Sequence, residues 1–128
     1  MDPVYLDYAA TTPMREEVRN AMSAYLSESF GNPSSIHRWG RVAEDALEQA
    51  RDDVAGALGA RSSEISFVRG GTESDNLAIL GWCRAQKLEG RTPSIVVTVV
   101  EHQAVLEAAM NAENTGEAFV TRIDVSAE

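Results

Sequence analysis

The sequence predicts an α/β fold in which parallel strands alternate with helices, preceded by two further helices. Three observations predict it. Residues 95–100 are nearly continuous in β-branched side chains, which is typical of a strand buried on both faces. Segments with helical periodicity alternate with such runs in the second half of the chain. The connections are short, so we expect parallel strands joined by right-handed helical crossovers.

Two helices are expected in the first half. Thr12 is a good N-cap and Pro13 suits the first helical position, so a helix should begin there. Its apolar face would comprise Met14, Val18, Met22 and Tyr25. Residues 31–35 should form an ordered turn. A second helix is expected over roughly residues 41–58, with an apolar stripe of Ala43, Ala46, Leu47, Ala50, Val54 and Leu58.

The second half predicts three strands and two helices in alternation. The strands are expected at residues 65–68, 95–100 and 119–123, where apolar and β-branched residues cluster. The helices are expected at about residues 72–88 and 103–112, with Gly116 ending the second one.

Composition and charge narrow the function classes. A chain of 128 residues with 44% hydrophobic and 24% charged residues is typical of one soluble globular domain. The net charge of −9 argues against nucleic acid and anionic membrane surfaces as partners. No apolar run approaches the ~20 residues of a membrane helix, and the acidic start is unlike a signal peptide. The single cysteine, Cys83, favours a reducing, cytoplasmic location.

The strongest local feature is the glycine pair Gly70-Gly71 between a predicted strand and a predicted helix. Glycines allow a tight turn, and the helix N-terminus adds unpaired amides and partial positive charge, so phosphate is a natural ligand. A capping box from Thr72 to Asp75, which would merely start the helix, is the alternative. No lysine follows the glycines, so this is not a P-loop.

His102 follows the predicted buried strand at its carboxyl end, where open α/β sheets bind ligands. The glycine turn belongs to the same edge, so both would line one crevice. The imidazole could stack on a flat ligand, move a proton or act as a hydrogen-bonded structural residue. His37 could be a residue that orders its loop or a residue of the functional site. Cys83 is expected in the core, and a zinc site of Cys83, His37 and His102 lacks metal-site spacing, so no metal is predicted.

Four motifs give the chain a resemblance to a family. They are residues 5–13 (YLDYAATTP), 31–37 (GNPSSIH), 70–79 (GGTESDNLAI) and 101–106 (EHQAVL). In this order and spacing they resemble pyridoxal-phosphate-dependent cysteine desulfurases, in the branch that supplies sulfur for iron–sulfur clusters and tRNA thiolation. The resemblance implies the N-terminal third of such an enzyme. Residues 1–37 would form an arm, first helix and loop, and residues 38–128 the start of the cofactor-binding large domain of class V aminotransferases (fold-type I).

The resemblance also implies roles for single residues. Gly71 and Thr72 would hold the cofactor phosphate, and His102 would stack on the pyridine ring and take part in proton transfer. Thr11, in the segment 10–12, and Asn32 resemble parts of the active-site mouth. Arg69 replaces the small residue usual before the glycines, and could strengthen or crowd the phosphate site. Implied partners are L-cysteine, a second copy in a homodimer, and a sulfur acceptor or scaffold protein.

The family's cofactor lysine and persulfide cysteine lie in later segments with no counterpart among these 128 residues. Lys87, the only lysine, would be ~22 Å from Thr72 along one helix, and Cys83 ~16 Å away, so neither can substitute. The chain alone is therefore expected to be catalytically incomplete and to bind pyridoxal phosphate weakly and non-covalently. Alternatives are a selenocysteine lyase or another class V enzyme, and a non-catalytic anion-binding or dimerisation module.

Overall fold

The computed structural model describes residues 3–126. They form two compact units, the first extending through Ile65 and the second beginning at Ser66. The first unit holds helices α1 (Glu16–Ser23) and α2 (Arg38–Leu58), with short 3₁₀ turns at Ala24–Leu26 and Ser62–Glu64. None of the helices in residues 3–126 is long and apolar enough to cross a membrane.

Helix α1 begins later than the sequence predicts, with Arg15 rather than Thr12 as its N-cap residue. The amides of Ala10 and Thr11 donate instead to the carbonyl of Asp7, which makes a turn of this segment. Two carboxylates in the first turn of α1 favour the later start, since acidic side chains suit a helix N-terminus. The residues of the expected apolar face, Met14, Val18, Met22 and Tyr25, are exposed.

Helix α2 begins three residues earlier than expected because His37 caps it. The Nδ1 atom of His37 accepts a hydrogen bond from the Gly40 amide at 3.2 Å. The helix ends at Gly59, whose φ of 66° is the left-handed conformation that favours glycine. The sequence therefore located the helix but missed a cap made by an imidazole.

The loop before α2 is an ordered turn, as predicted. The side-chain oxygen of Asn32 accepts from the Ser34 amide at 2.9 Å, and its carbonyl accepts from Ser35 at 3.0 Å. This loop approaches α2 so closely that a Cβ on Gly40 would overlap the Ser35 carbonyl oxygen. Glycine is required at this position by space.

The second unit contains helix α3 (Gly71–Leu88), strand β1 (Ser94–Thr98), helix α4 (Gln103–Asn114) and strand β2 (Phe119–Ile123). The strands pair in parallel, with Val96 opposite Thr121, and α4 connects them. These elements confirm the α/β class, the helices at 72–88 and 103–112, and the strands at 95–100 and 119–123. Gly116, with φ 64°, follows α4 as predicted.

The strand predicted at residues 65–68 does not form, because the sheet within residues 3–126 consists of β1 and β2. Ile65 has an extended backbone, but its carbonyl accepts a hydrogen bond from the Arg51 guanidinium at 2.8 Å. The extended conformation was therefore predicted correctly at Ile65, whereas membership of the sheet, which needs a neighbouring strand, was not.

The core of the second unit lies between α3, α4 and the sheet. Cys83, fully buried, clusters with Ala112 and Ala118, and Leu80 and Ile95 pack against them, which confirms the prediction for Cys83. The expectation that the strand at residues 95–100 is buried on both faces is wrong: in β1 Val97 is buried, but Val96 is 60% exposed. Because successive strand residues face opposite sides, one face of β1 is covered in this unit.

Candidate functional site

The glycine turn leads directly into α3. Gly70 is the N-cap residue, has an extended backbone (φ 169°), and no side chain caps the helix. The first bond of the helical type runs from the Ser74 amide to the Gly70 carbonyl at 3.1 Å. The amides of Gly71, Thr72 and Glu73 precede it and have no carbonyl within the helix to bond. Three donors therefore emerge at the positive end of an 18-residue helix.

The capping-box alternative is wrong. Thr72 lies at the second helical position rather than at the N-cap, so it cannot cap the helix together with Asp75. The acidic side chain that does bond at this end is Glu73, whose carboxylate accepts from the Arg69 amide at 2.7 Å. The turn is thus closed by Glu73, and the first amides of α3 remain available to a ligand.

An open concavity of about 510 Å³ lies in front of this turn. It is lined by Arg69, Gly70, Gly71, Thr72, Glu73 and Asn76. A Cβ placed on Gly70 or Gly71 would meet no atom within 4 Å, so the space before the amides is empty of protein. The side-chain amide of Asn76 donates a hydrogen bond to the Thr72 carbonyl at 2.8 Å.

These donors fit the phosphate group of pyridoxal phosphate. Backbone amides, the Thr72 hydroxyl and the Arg69 guanidinium offer hydrogen bonds and positive charge to an anion. The Glu73 carboxylate disfavours a bound anion, because it adds negative charge to the lining of the same concavity. Sequence reasoning missed the Glu73 contact, although an acidic residue at the third helical position is a recognisable signal.

His102 is the N-cap residue of α4, the next helix along the chain. Its Nδ1 atom accepts from the Ala104 amide at 3.1 Å, and its ring is exposed. The turn before it is fixed by Thr98, whose hydroxyl donates to Glu101 at 2.8 Å. His102 does not belong to the lining of the glycine-turn concavity, so a crevice shared by both remains a prediction.

The residues assigned to the active-site mouth lie in the first unit. The Thr11 amide donates to the Asp7 carbonyl at 3.4 Å. Asn32 lines a second concavity, of about 460 Å³, together with Phe30, Gly31, Ser35, His37 and Trp39. The rings of His37 and Trp39 meet edge to face there, with centroids 6.0 Å apart. The structure thus gives His37 a loop-ordering role and adds Trp39, which no sequence motif had indicated.

The remaining reactive side chains are remote from the glycine turn or buried. Lys87 lies in the last turn of α3, and its Nζ donates to the Gly116 carbonyl at 3.5 Å. Burial raises the pKa of the Cys83 thiol, and the nearby Glu117 carboxylate raises it further. Within residues 3–126, no group of three His, Cys, Asp or Glu side chains is placed to hold a metal ion.

Comparison with known proteins gives consistent matches along the chain. The family model of class-V aminotransferases matches residues 4–128. Cysteine desulfurase IscS of Dictyoglomus turgidum is 53% identical over 113 residues, which cover 88% of this chain and 28% of that protein. Cysteine desulfurase IscS of Methanosarcina thermophila is 47% identical over 113 residues, again 88% of this chain and 28% of that protein.

Solved structures agree with the sequence comparison. A NifS-like protein superimposes with a TM-score of 0.76 at 36% identity, over 89% of this chain and 30% of that chain. DndA from Streptomyces lividans superimposes with a TM-score of 0.73 at 34% identity, over 94% of this chain and 33% of that chain. The chain therefore spans about 28% of the length of these curated relatives and about a third of these solved chains.

Proposed function

We propose, from the premise that this chain belongs to the class-V aminotransferase family, that it provides the phosphate-binding part of a pyridoxal-phosphate-dependent cysteine desulfurase. The observation that carries the proposal is the N-terminus of α3. Three amides without helical partners, a threonine hydroxyl and open space in front of them meet at one concavity. In the proposal, Gly71 and Thr72 bind the cofactor phosphate there.

The ring of the cofactor would lie against His102. Its exposed imidazole offers a flat face, and its bond to Ala104 fixes the orientation of that face. When bound, pyridoxal phosphate supplies the electron-withdrawing power that labilises bonds at the Cα atom of an amino acid. The part played by this chain is to bind the phosphate, orient the ring and, through Thr11 and Asn32, shape the approach of the substrate.

For the whole protein, the proposed reaction converts L-cysteine to L-alanine and leaves the sulfur on an enzyme thiol as a persulfide. The names of the relatives support this substrate, since they are cysteine desulfurases. Cys83 is not the proposed sulfur carrier, because it is fully buried. A homodimer, a cytoplasmic location and a sulfur acceptor or scaffold protein for iron–sulfur clusters or tRNA thiolation complete the proposal.

Equilibrium dialysis of the chain with pyridoxal phosphate tests the phosphate site. We expect weak, reversible binding that inorganic phosphate competes away. Thr72→Ala should weaken it by about 1–2 kcal/mol, the usual loss of a hydrogen bond to a charged group. Thr121→Ala, in the middle of β2, is the matched control and should leave it unchanged. Equal affinity of the Thr72 variant and the parent chain would reject the proposed site.

A further inference from the structure

Helix α2 carries an apolar stripe that is open to solvent. Four of its side chains line a groove of about 470 Å³, and none of them is buried. They are Ala43, Ala46, Leu47 and Ala50. Among the described helices of the first unit, only the 3₁₀ turn Ser62–Glu64 packs on α2. That turn lies on the side of α2 opposite Ala43, where Ser62 donates a hydrogen bond to Asp52. A 21-residue helix with an uncovered apolar stripe is suited to a helical partner.

The charges of α2 are also left uncompensated in a single copy. The first turn holds Arg38 and Arg41 and no acidic residue, which is unfavourable at the positive end of a helix dipole. The Arg38 guanidinium has no ion-pair partner among residues 3–126. In the second half of α2, the Asp53 carboxylate accepts a hydrogen bond from the neutral Gln49 side chain at 3.0 Å. A cation and a carboxylate on one helix are therefore each in need of a partner of opposite charge.

We propose that this stripe of α2 docks on α2 of a second copy of the chain, with the two helices antiparallel. Arg38 and Asp53 are fifteen residues apart, so they lie about 22 Å apart along the helix axis and within about 60° of each other around it. When two antiparallel copies of α2 meet near Ala46, the Arg38 guanidinium of each copy lies beside the Asp53 carboxylate of the other. The same surface thus supplies both halves of two ion pairs, as a two-fold interface requires.

The composition of the stripe fits this arrangement. Small side chains at Ala43, Ala46 and Ala50 allow the two helices to approach to about 8–10 Å. Trp39, which is 59% exposed, adjoins Arg38, and tryptophan and arginine are the residues that most often dominate interfaces. One pair of helices buries less surface than a standard interface, so the dimer should be weak. The inference deepens the homodimer of the proposed function and rests on it for the identity of the partner.

Sedimentation velocity of the 128-residue chain, at about 0.15 M salt to screen its net charge of −9, tests the surface. We expect a monomer–dimer equilibrium below the concentration at which scattering begins. Arg38→Glu and Asp53→Arg should each weaken the dimer at least about tenfold, because each places like charges side by side. The two changes in one chain should restore the affinity to within about threefold. Glu44→Arg, on the side of α2 opposite Asp53, is the matched control and should change the affinity less than about twofold.

A mixture of the two single variants gives the sharpest result. Arg38→Glu and Asp53→Arg chains should form heterodimers, because opposite charges meet only between unlike copies. Circular dichroism of each variant confirms that α2 is folded. Absence of a dimer, absence of heterodimers from folded variants, or equal weakening by Glu44→Arg would overturn the inference.

The proposed function fails by a different measurement. Pyridoxal phosphate binding by a chain that stays monomeric would reject the α2 surface and leave the phosphate site standing. A dimer that follows the charge changes, in a chain that binds no pyridoxal phosphate, would reject the phosphate site and support the α2 surface.

Discussion

Thr72 and Lys87 lie at opposite ends of helix α3, fifteen residues apart. At the rise of an α-helix this places them about 22 Å from each other. Lys87 is also directed to the other end of the unit by its hydrogen bond to the Gly116 carbonyl. The phosphate and the aldehyde of pyridoxal phosphate are separated by far less than this distance. One cofactor molecule therefore cannot be held at its phosphate by Thr72 and covalently by Lys87.

The first prediction follows from this separation. The 128-residue chain should bind pyridoxal phosphate without an absorbance band of a lysine-linked cofactor, and it should release no alanine from cysteine. Lys87→Gln should leave the affinity unchanged, because the lysine does not reach the site. Borohydride reduction followed by mass spectrometry is the measurement. A reduced adduct on Lys87, together with turnover, would contradict this description of the site.

The second prediction concerns the carboxylate at the rim of the glycine turn. Glu73→Gln should raise the affinity for pyridoxal phosphate roughly two- to fivefold at low salt, because it removes a negative charge beside the bound anion. Its amide oxygen can still accept from the Arg69 amide, so the turn should persist. The gain should shrink at high ionic strength as the charges are screened.

Glu89→Gln is the control for that experiment. It removes the same charge at the other end of α3, where Glu89 is the C-cap residue. Its effect on cofactor affinity should be negligible. A loss of affinity in the Glu73 variant would mean that closure of the turn by the carboxylate matters more than its charge.

The sequence predicted local features well and long-range ones less well. The helix that starts at Gly71 and the strand at 119–123 were located correctly, because periodicity and β-branched runs are local signals. The strand at 65–68 failed because strand pairing depends on a distant segment. At the candidate site, the turn before α3 was predictable from its glycines, whereas the caps by His37 and His102 were not, since histidine is an unusual N-cap residue.

The third prediction compares two glycines of α2. Gly40→Ala should lower the free energy of unfolding by about 1–3 kcal/mol, because the new Cβ would overlap the Ser35 carbonyl oxygen. Gly56→Ala should raise it by about 0.5–1 kcal/mol, because its Cβ would meet nothing within 4 Å and alanine is the better helix former. Urea denaturation of both variants is the measurement. Changes of the same sign would contradict the close approach of the loop to α2.

The fourth prediction uses the raised pKa of Cys83. The folded chain retains the thiol proton at pH values just above 9.0, the ordinary pKa of the thiol. The unfolded chain loses the proton at these pH values. The contribution of Cys83 to stability should therefore be complete below this value and decline as the pH rises, by up to about 1.4 kcal/mol per pH unit. Cys83→Ala lacks this component, so the difference in unfolding free energy between the two proteins should narrow from about pH 8 to about pH 10. A difference independent of pH would show that the thiol is not protected.

The fifth prediction concerns the sheet of the second unit. With two strands among the described residues, β1 and β2 each present an edge, and their side chains Val96 and Phe119 are 60% and 67% exposed. Exposed apolar edge strands pair with other chains, so the isolated chain should aggregate as its concentration rises, or be partly molten. Light scattering against concentration measures this. A sharp cooperative melt of a monomer, with a fully dispersed NMR spectrum, would contradict it.

Two lysine substitutions test whether association depends on β1 or on exposed apolar side chains in general. Val96→Lys should raise the concentration at which scattering begins, because a charge on an edge strand opposes pairing with a second sheet. Val54→Lys, at an exposed position of α2, changes the net charge equally and should have little effect. If both variants, or neither, suppressed aggregation, association would proceed through surfaces other than β1. If only Val96→Lys does so, the exposed face of β1 is the surface through which isolated chains associate.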